Sequence, residues 1–218
     1  MNRLELRCKA LLFDLDGVLV DSQAVVERTW RRWAERHRLD PEAVLAVHHG
    51  RQVRDSLRAV FPDLAVDAEV EWLDAAELED VNGLKIVPGA KEFLARLPRD
   101  RWAIVTSCGQ ALATLRLGAV GLPTPQVLVV AEDVKNGKPA PDGYRLGASR
   151  LGYDPGACLV FEDAPAGLAA GRAAGARVIG LTTSLGADAL LGAEACIADF
   201  AGVRVRAEGD SFFMTVQF

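Results

Sequence analysis

Five short apolar runs, each closed by a polar or glycine-rich turn, constrain this chain more than any other feature. They are residues 8–15 (CKALLFDL), 102–106 (WAIVT), 127–130 (VLVV), 158–161 (CLVF) and 177–181 (RVIGL). Apolar residues do not alternate with polar ones in these runs, so both faces of each strand must be buried. Between them lie Ala- and Leu-rich segments at residues 90–97, 111–117, 143–151 and 167–174, with good helix propensity. Such alternation implies an α/β fold, a doubly wound parallel sheet with right-handed crossovers.

One region breaks the alternation. Residues 22–84 carry helical patterns and no buried strand. Ser22 is a suitable N-cap for a helix that places Val26, Trp30, Trp33 and His37 on one face, which assigns the two tryptophans to packing. Further helices are expected at residues 41–47, 53–61 and 67–81. The chain therefore divides into an α/β core, residues 1–21 and 85–218, and an inserted α-helical cap domain, residues 22–84. The insertion is Arg-rich at first (Arg28, Arg31, Arg32, Arg36, Arg38) and then acidic (Glu69, Glu71, Asp74, Glu77, Glu79, Asp80), and both runs read as solvated helix faces. The tail from residue 203 alternates on either side of Glu208-Gly209-Asp210 and reads as a β-hairpin.

Composition excludes several classes. At about 150 residues per domain, 218 residues allow one full domain and a smaller unit. A net charge of −5 gives no basic surface for nucleic acid. No stretch reaches the ~20 apolar residues that span a bilayer, and the first apolar run is too short and too acid-flanked for a signal peptide. Cys8, Cys108, Cys158 and Cys196 show no metal or redox spacing, so reduced thiols and a cytoplasmic location are expected.

The chemistry concentrates at the strand ends. Asp14 and Asp16 close the first run in FDLDG; two apart in an extended chain, they point to the same side, where open parallel sheets bind ligands. Gly17 then permits a sharp turn. Two neighbouring carboxylates without an intervening cation repel unless a metal or a proton is shared. Thr106-Ser107 ends the second run, where a hydroxyl and free N–H groups can cradle a phosphate. Lys138 sits in NGKPAPD, a loop stiffened by its Gly and Pro neighbours. Glu162-Asp163 ends the fourth run and adds the hard oxygen ligands that Mg²⁺ prefers.

In this order, Asp14-Leu15-Asp16-Gly17-Val18, Thr106-Ser107, Gly137-Lys138-Pro139 and Glu162-Asp163 resemble the motif set of the haloacid dehalogenase-superfamily phosphatases, which have a Rossmann-like core. The resemblance covers residues 8 to 182. Softer cues resemble sugar and polyol phosphatases with a helical cap after the first strand: Asp21-Ser22, His49-Gly50-Arg51, residues 87–90 (VPGA) and residues 131–134 (AEDV).

The resemblance implies a Mg²⁺-dependent phosphatase of small phosphorylated metabolites. Asp14 would be the nucleophile that forms an aspartyl-phosphate, and Asp16 the acid and then the base. Mg²⁺ would be held by a carboxylate oxygen of Asp14, the backbone carbonyl of Asp16, and Asp163, with Glu162 supporting. Thr106, Ser107 N–H and Lys138 would bind the non-bridging oxygens. His49, Gly50 and Arg51 would form the cap's substrate loop with Arg54 behind, His48 being structural or exposed and Cys108 a bystander thiol. The expected partner is a small phosphate ester, handled by a monomer without nucleic acid or membrane.

Three other readings share some of these residues. Sugar phosphomutases of the β-phosphoglucomutase type resemble the chain through the first motif but carry a histidine where Val26 stands. Dehalogenases of the superfamily lack the second aspartate, here Asp16. Phospho-aspartate receiver domains are shorter and have no cap.

Overall fold

The computed structural model describes residues 3–45, 50–61 and 66–218. Strand β1 (Arg3–Cys8) is followed by β2 (Ala10–Phe13) and the short β3 (Val20–Asp21). Four helices come next: α1 (Gln23–Arg36), α2 (Pro41–Leu45), α3 (Val53–Val60) and α4 (Val66–Leu78). After β4 (Lys85–Ile86), helices and strands alternate as α5 (Ala90–Leu94), β5 (Trp102–Val105), α6 (Gln110–Ala119), β6 (Val127–Val129), α7 (Asp142–Leu151), β7 (Cys158–Glu162), α8 (Pro165–Ala174) and β8 (Arg177–Leu181). Strands β9 (Ala195–Ile197), β10 (Val203–Glu208) and β11 (Ser211–Gln217) complete the chain.

The main sheet has the order β6-β5-β2-β7-β8-β9 with every pair parallel. Strands β2, β5 and β7 are buried along their whole length, as their unalternating runs require. On one face Phe13 stacks on Phe161 with ring centroids 5.1 Å apart and meets Phe93 and Trp102 edge-on. On the other, Leu12, Val105 and Val160 pack against Tyr144, Ala148 and Leu168. Each large side chain so buried contributes about 1.5–3 kcal/mol. From β2 the chain places β5 and β6 to one side and β7, β8 and β9 to the other, so the sheet's topological switch lies at β2, and a ligand crevice opens beyond its carboxyl end.

The first apolar run departs from expectation. It is two strands: Cys8 ends β1, which pairs antiparallel with β11, while Ala10 begins β2 of the parallel sheet. The expected tail hairpin forms between β10 and β11, and β1 joins it in a second sheet of order β1-β11-β10. Arg101 fastens the two sheets: its Nε donates to the Lys9 carbonyl at 2.8 Å, its Nη2 donates to the Asp210 carbonyl at 2.6 Å, and its guanidinium lies 4.3 Å from the Phe212 ring centroid. The sixth parallel strand, β9, has only three residues and too little pattern to be read in advance.

Between β3 and β4 the helices surround their own cluster of Trp30, Trp33, Val44, Leu57 and Leu73. The acidic stretch is only partly a solvated face. Glu69 is buried, accepting from Trp33 Nε1 at 2.8 Å and contacting His37 Nε2 at 3.0 Å; Glu77 is buried as well. Arg28 and Arg31 do sit at the surface, paired with Asp80 and Glu42. Entry and exit of this helical segment run side by side, because β3 and β4 pair antiparallel with Val20 opposite Ile86 and Asp21 opposite Lys85. Among the described residues no helix is long and apolar enough to cross a membrane.

Candidate active site

The crevice beyond β2 opens into a cavity of about 400 Å³ shared by the sheet's strand ends and the helical insertion. Asp14 follows β2 directly; its N–H donates to the Phe161 carbonyl at 3.0 Å, so the strand ladder fixes its position. Its side chain is buried, with Lys138 Nζ 2.9 Å from Oδ1. The same ammonium lies 2.6 Å from Glu162 Oε1. Lys138 is thus no surface lysine but a buried cation between two carboxylates.

Burial works against the charge of Lys138, yet Asp14 and Glu162 raise its pKa above the ordinary value. Burial also dominates at Asp14 and lifts its carboxyl to about 7; Lys138 opposes that rise while Glu162 and Asp16 add to it. Asp163 is pushed well above the usual carboxylate range by burial and by Glu162 and Asp14. Three acids with one lysine leave an excess of buried negative charge, which a cation would relieve. Asp14, Glu162 and Asp163 each offer a carboxylate oxygen, and these oxygens lie within 4.8 Å of one another. Such hard oxygen donors suit Mg²⁺.

Glu162 is already engaged. Its Oε1 accepts from the Tyr144 hydroxyl at 2.6 Å and its Oε2 from the Asp163 N–H at 3.1 Å. Gly167 makes room for it, since a Cβ there would lie 1.8 Å from Glu162 Oε1. Gly17 does the same for Asp163: its φ is +72° and a Cβ would lie 1.9 Å from Asp163 Oδ2. The sharp turn expected at Gly17 therefore also lets the backbone approach a carboxylate closely.

Asp16 is held differently. Its Oδ1 accepts from the Ser22 hydroxyl at 2.7 Å, and its Oδ2 meets Arg116 Nη1 at 2.6 Å. Ser22 does stand at the N-cap of α1, as its place before the helix predicts, but its hydroxyl makes no cap hydrogen bond and serves the acid instead. Thr106 is buried at the end of β5, its Oγ1 accepting from the Cys108 N–H at 3.2 Å. Burial pushes the Cys108 thiol up to about 12, consistent with a bystander.

Asp14, Asp16, Thr106, Ser107, Gly50, Arg51 and Asp163 all line the cavity, and Lys138 lies behind Asp14. His48 and His49 fall outside the described residues. Gly50 reaches the core: Ser107 Oγ donates to its carbonyl at 3.2 Å, and a Cβ on it would lie 2.4 Å from Ala164 Cβ. Arg54 lines the cavity too and pairs with Asp67.

Sequence reasoning missed Arg116, Glu77 and Tyr144 as members of the site. The available signal was a single arginine amid the apolar residues of QALATLRLGA; Tyr144 had none beyond its place on a core-facing helix.

Comparison with known proteins agrees with this geometry. The family model described as haloacid dehalogenase-like hydrolase matches residues 8–175. The chain is 49% identical to hexitol phosphatase A of Escherichia coli, over 80% of this chain and 83% of that protein. It is 38% identical to glycerol-1-phosphate phosphohydrolase 2 of Saccharomyces cerevisiae, over 86% of this chain and 80% of that one. A crystal structure of a hydrolase from Pseudomonas syringae superposes with a TM-score of 0.79 at 27% identity, covering 87% of this chain and 93% of that one. The chain belongs to the haloacid dehalogenase-like hydrolases, among relatives that are phosphatases of sugar and polyol phosphates.

Proposed function

We propose that this protein is a Mg²⁺-dependent phosphatase of small sugar or polyol phosphates. In this reading residues 1–21 and 85–218 form the catalytic core, and residues 22–84 form a cap that covers the substrate. The observation that carries the proposal is the buried Asp14 carboxylate, 2.9 Å from Lys138 and clustered with Asp163 at the floor of the cavity.

The chain's residues support a two-step reaction. An Asp14 oxygen attacks phosphorus and the bond to the sugar oxygen breaks, leaving an aspartyl-phosphate. Asp16 gives its proton to the departing alkoxide. Asp16 then takes a proton from the water that attacks the aspartyl-phosphate, and inorganic phosphate leaves with Asp14 restored. Thr106, the Ser107 N–H and Lys138 hold the non-bridging oxygens, and Lys138 stabilises charge as it develops. Bound by Asp14, Asp163 and the Asp16 carbonyl, Mg²⁺ would offset the repulsion between carboxylates and the phosphate dianion.

The cavity's polar lining favours a polyhydroxylated leaving group. Gln23, Gln52, Asp74 and Glu132 line it, and amides and carboxylates are natural partners for hydroxyls. Gly50 and Arg51 reach the cavity from the cap, and His49 stands beside them in sequence as the third member of the substrate loop. Val26 lines the cavity where a mutase would need its histidine, which favours hydrolysis over intramolecular shuttling. Four free cysteines, two of them buried, fit a reducing cytoplasm.

A phosphate-release screen over phosphorylated sugars and polyols tests the proposal. Turnover is expected with Mg²⁺, to be lost on chelation and regained on adding metal. Full activity in excess chelator refutes it.

A further inference from the structure

Arg116 sits in the last turn of α6 with its side chain 4% exposed, touching both the core's acid and the insertion. Its Nη1 lies 2.6 Å from Asp16 Oδ2, and its Nη2 donates to Oε2 of Glu77 on α4. A guanidinium offers its donors in a rigid planar fork, so when one arm binds Glu77 the direction of the other is set. The second group on Asp16 is Ser22, at the entry to the helical segment. Both oxygens of the Asp16 carboxylate are thus held by groups tied to the insertion's position.

Two other polar contacts between insertion and core across the cavity, among the described residues, are of another kind. Ser107 Oγ donates to the Gly50 carbonyl at 3.2 Å, and Gln52 Nε2 to the Ala131 carbonyl at 3.3 Å. Both are neutral bonds to backbone oxygens, tolerant of small shifts. The Arg116–Glu77 pair is buried on both sides, with Glu77 7% exposed at its side chain. Displacing the insertion would admit water to the pair and reduce it to the small worth of an exposed one.

We propose that Arg116 is a positioning residue that couples the seating of the cap to the orientation of the Asp16 carboxyl group, with Glu77 as the cap's half of the contact. The proposal rests on the reading of Asp16 as the acid–base group. With the cap seated, the Arg116 fork and the Ser22 hydroxyl aim Asp16 at the leaving oxygen. With the cap lifted, the fork loses Glu77 and Asp16 is no longer fixed, so proton transfer is confined to the closed, water-excluded state.

The experiment compares Arg116→Met, Arg116→Lys, Glu77→Gln and Asp16→Asn in the full chain with Mg²⁺. Rapid mixing reads the first step on a hexitol phosphate, whose alkoxide needs a proton, and on nitrophenyl phosphate, whose phenolate does not. Arg116→Met should slow the hexitol step about ten-fold more than the nitrophenyl step, a part of the 10²–10⁴-fold range of acid–base catalysis. Glu77→Gln should shift the ratio the same way by less and add little on top of Arg116→Met. Arg116→Lys should restore part of the ratio. Equal losses on both substrates together with a lowered Tm would make Arg116 merely structural and overturn the proposal. If Arg116→Met fails to fold, Glu77→Gln and Arg116→Lys decide by the same ratio. A leaving-group bias in Asp16→Asn but in none of the others refutes the coupling alone. No bias in Asp16→Asn refutes the acid–base reading, and the coupling with it.

Discussion

Tyr144 donates its hydroxyl to Glu162 at 2.6 Å, and that bond helps to set where Lys138 points. Both acid and phenol are buried, and Lys138 Nζ lies 5.3 Å from the Tyr144 ring centroid as well as 2.6 Å from Glu162. Tyr144→Phe should leave one Glu162 oxygen short of a partner, lowering Tm and reducing turnover about ten-fold through a less fixed ammonium. Lys138→Met should cost more, roughly 10²–10³-fold in kcat, the scale for losing a donor to transition-state charge. Steady-state kinetics and thermal melts of the two variants check this. A larger loss from Tyr144→Phe than from Lys138→Met contradicts the order of roles.

Asp14 and Asp16 are chemically alike but differently placed, and their amide variants should fail differently. Asp14→Asn removes the proposed nucleophile, so no burst of leaving group is expected from any substrate. Asp16→Asn keeps the nucleophile and the backbone carbonyl, and its first step should survive better on nitrophenyl phosphate than on a sugar phosphate. Rapid-mix burst amplitudes separate the two, and a burst from Asp14→Asn rules out the assignment.

Gly167→Ala places a methyl where Glu162 Oε1 now sits, 1.8 Å from the ideal Cβ position. Glu162 has almost no freedom to retreat, being tied to Tyr144, Lys138 and the Asp163 N–H. Overpacking of this kind costs about 1–3 kcal/mol or more. Turnover should fall with it, because Lys138 and Asp163 move with Glu162. Gly118→Ala is the control: beyond its own stretch of α6 nothing lies within 4 Å of that Cβ, so its rate should stay at the wild-type value and its melt should hold or rise slightly, alanine favouring the helix.

The raised acids make metal-free stability depend on pH. Glu77, lifted to about 7 mainly by burial, binds a proton more tightly folded than unfolded. Its contribution is therefore full below about 4.5, its ordinary value, and is lost as pH climbs through about 7. Asp14, lifted to about 7 from 3.8, acts in the same direction. The Tm of metal-stripped protein should fall as pH climbs from about 5 to about 8, and Glu77→Gln should flatten part of that fall. Added Mg²⁺ should stabilise most at the alkaline end, where Asp14 is ionised and free to bind it. A Tm that rises with pH in chelator contradicts the sign.

The buried parallel strands and the order of strand-end motifs were legible because each rests on local pattern. Unalternating runs demand two covered faces; FDLDG, TS and ED each sit where a strand stops, and GKP sits in the loop that leads into α7. What escaped depends on partners distant in sequence. Residues 8–15 read as one strand because nothing local shows that Cys8 faces Phe212 while Ala10 faces Cys158. Glu69 and Glu77 looked like solvated acids because their buried partners, Trp33 and Arg116, lie 36 and 39 residues away. Ser22 was legible as the N-cap of α1, but only the fold brings Asp16 within reach of its hydroxyl.

The pairing of Val20–Asp21 with Lys85–Ile86 carries a consequence for ancestry and engineering. Because the insertion leaves the core and returns to it through adjacent strands, it occupies a single socket. A foreign helical module grafted between Asp21 and Lys85 inherits that anchorage without rethreading the sheet, but to leave Asp16 held as it is now it must bring equivalents of Ser22 and Glu77.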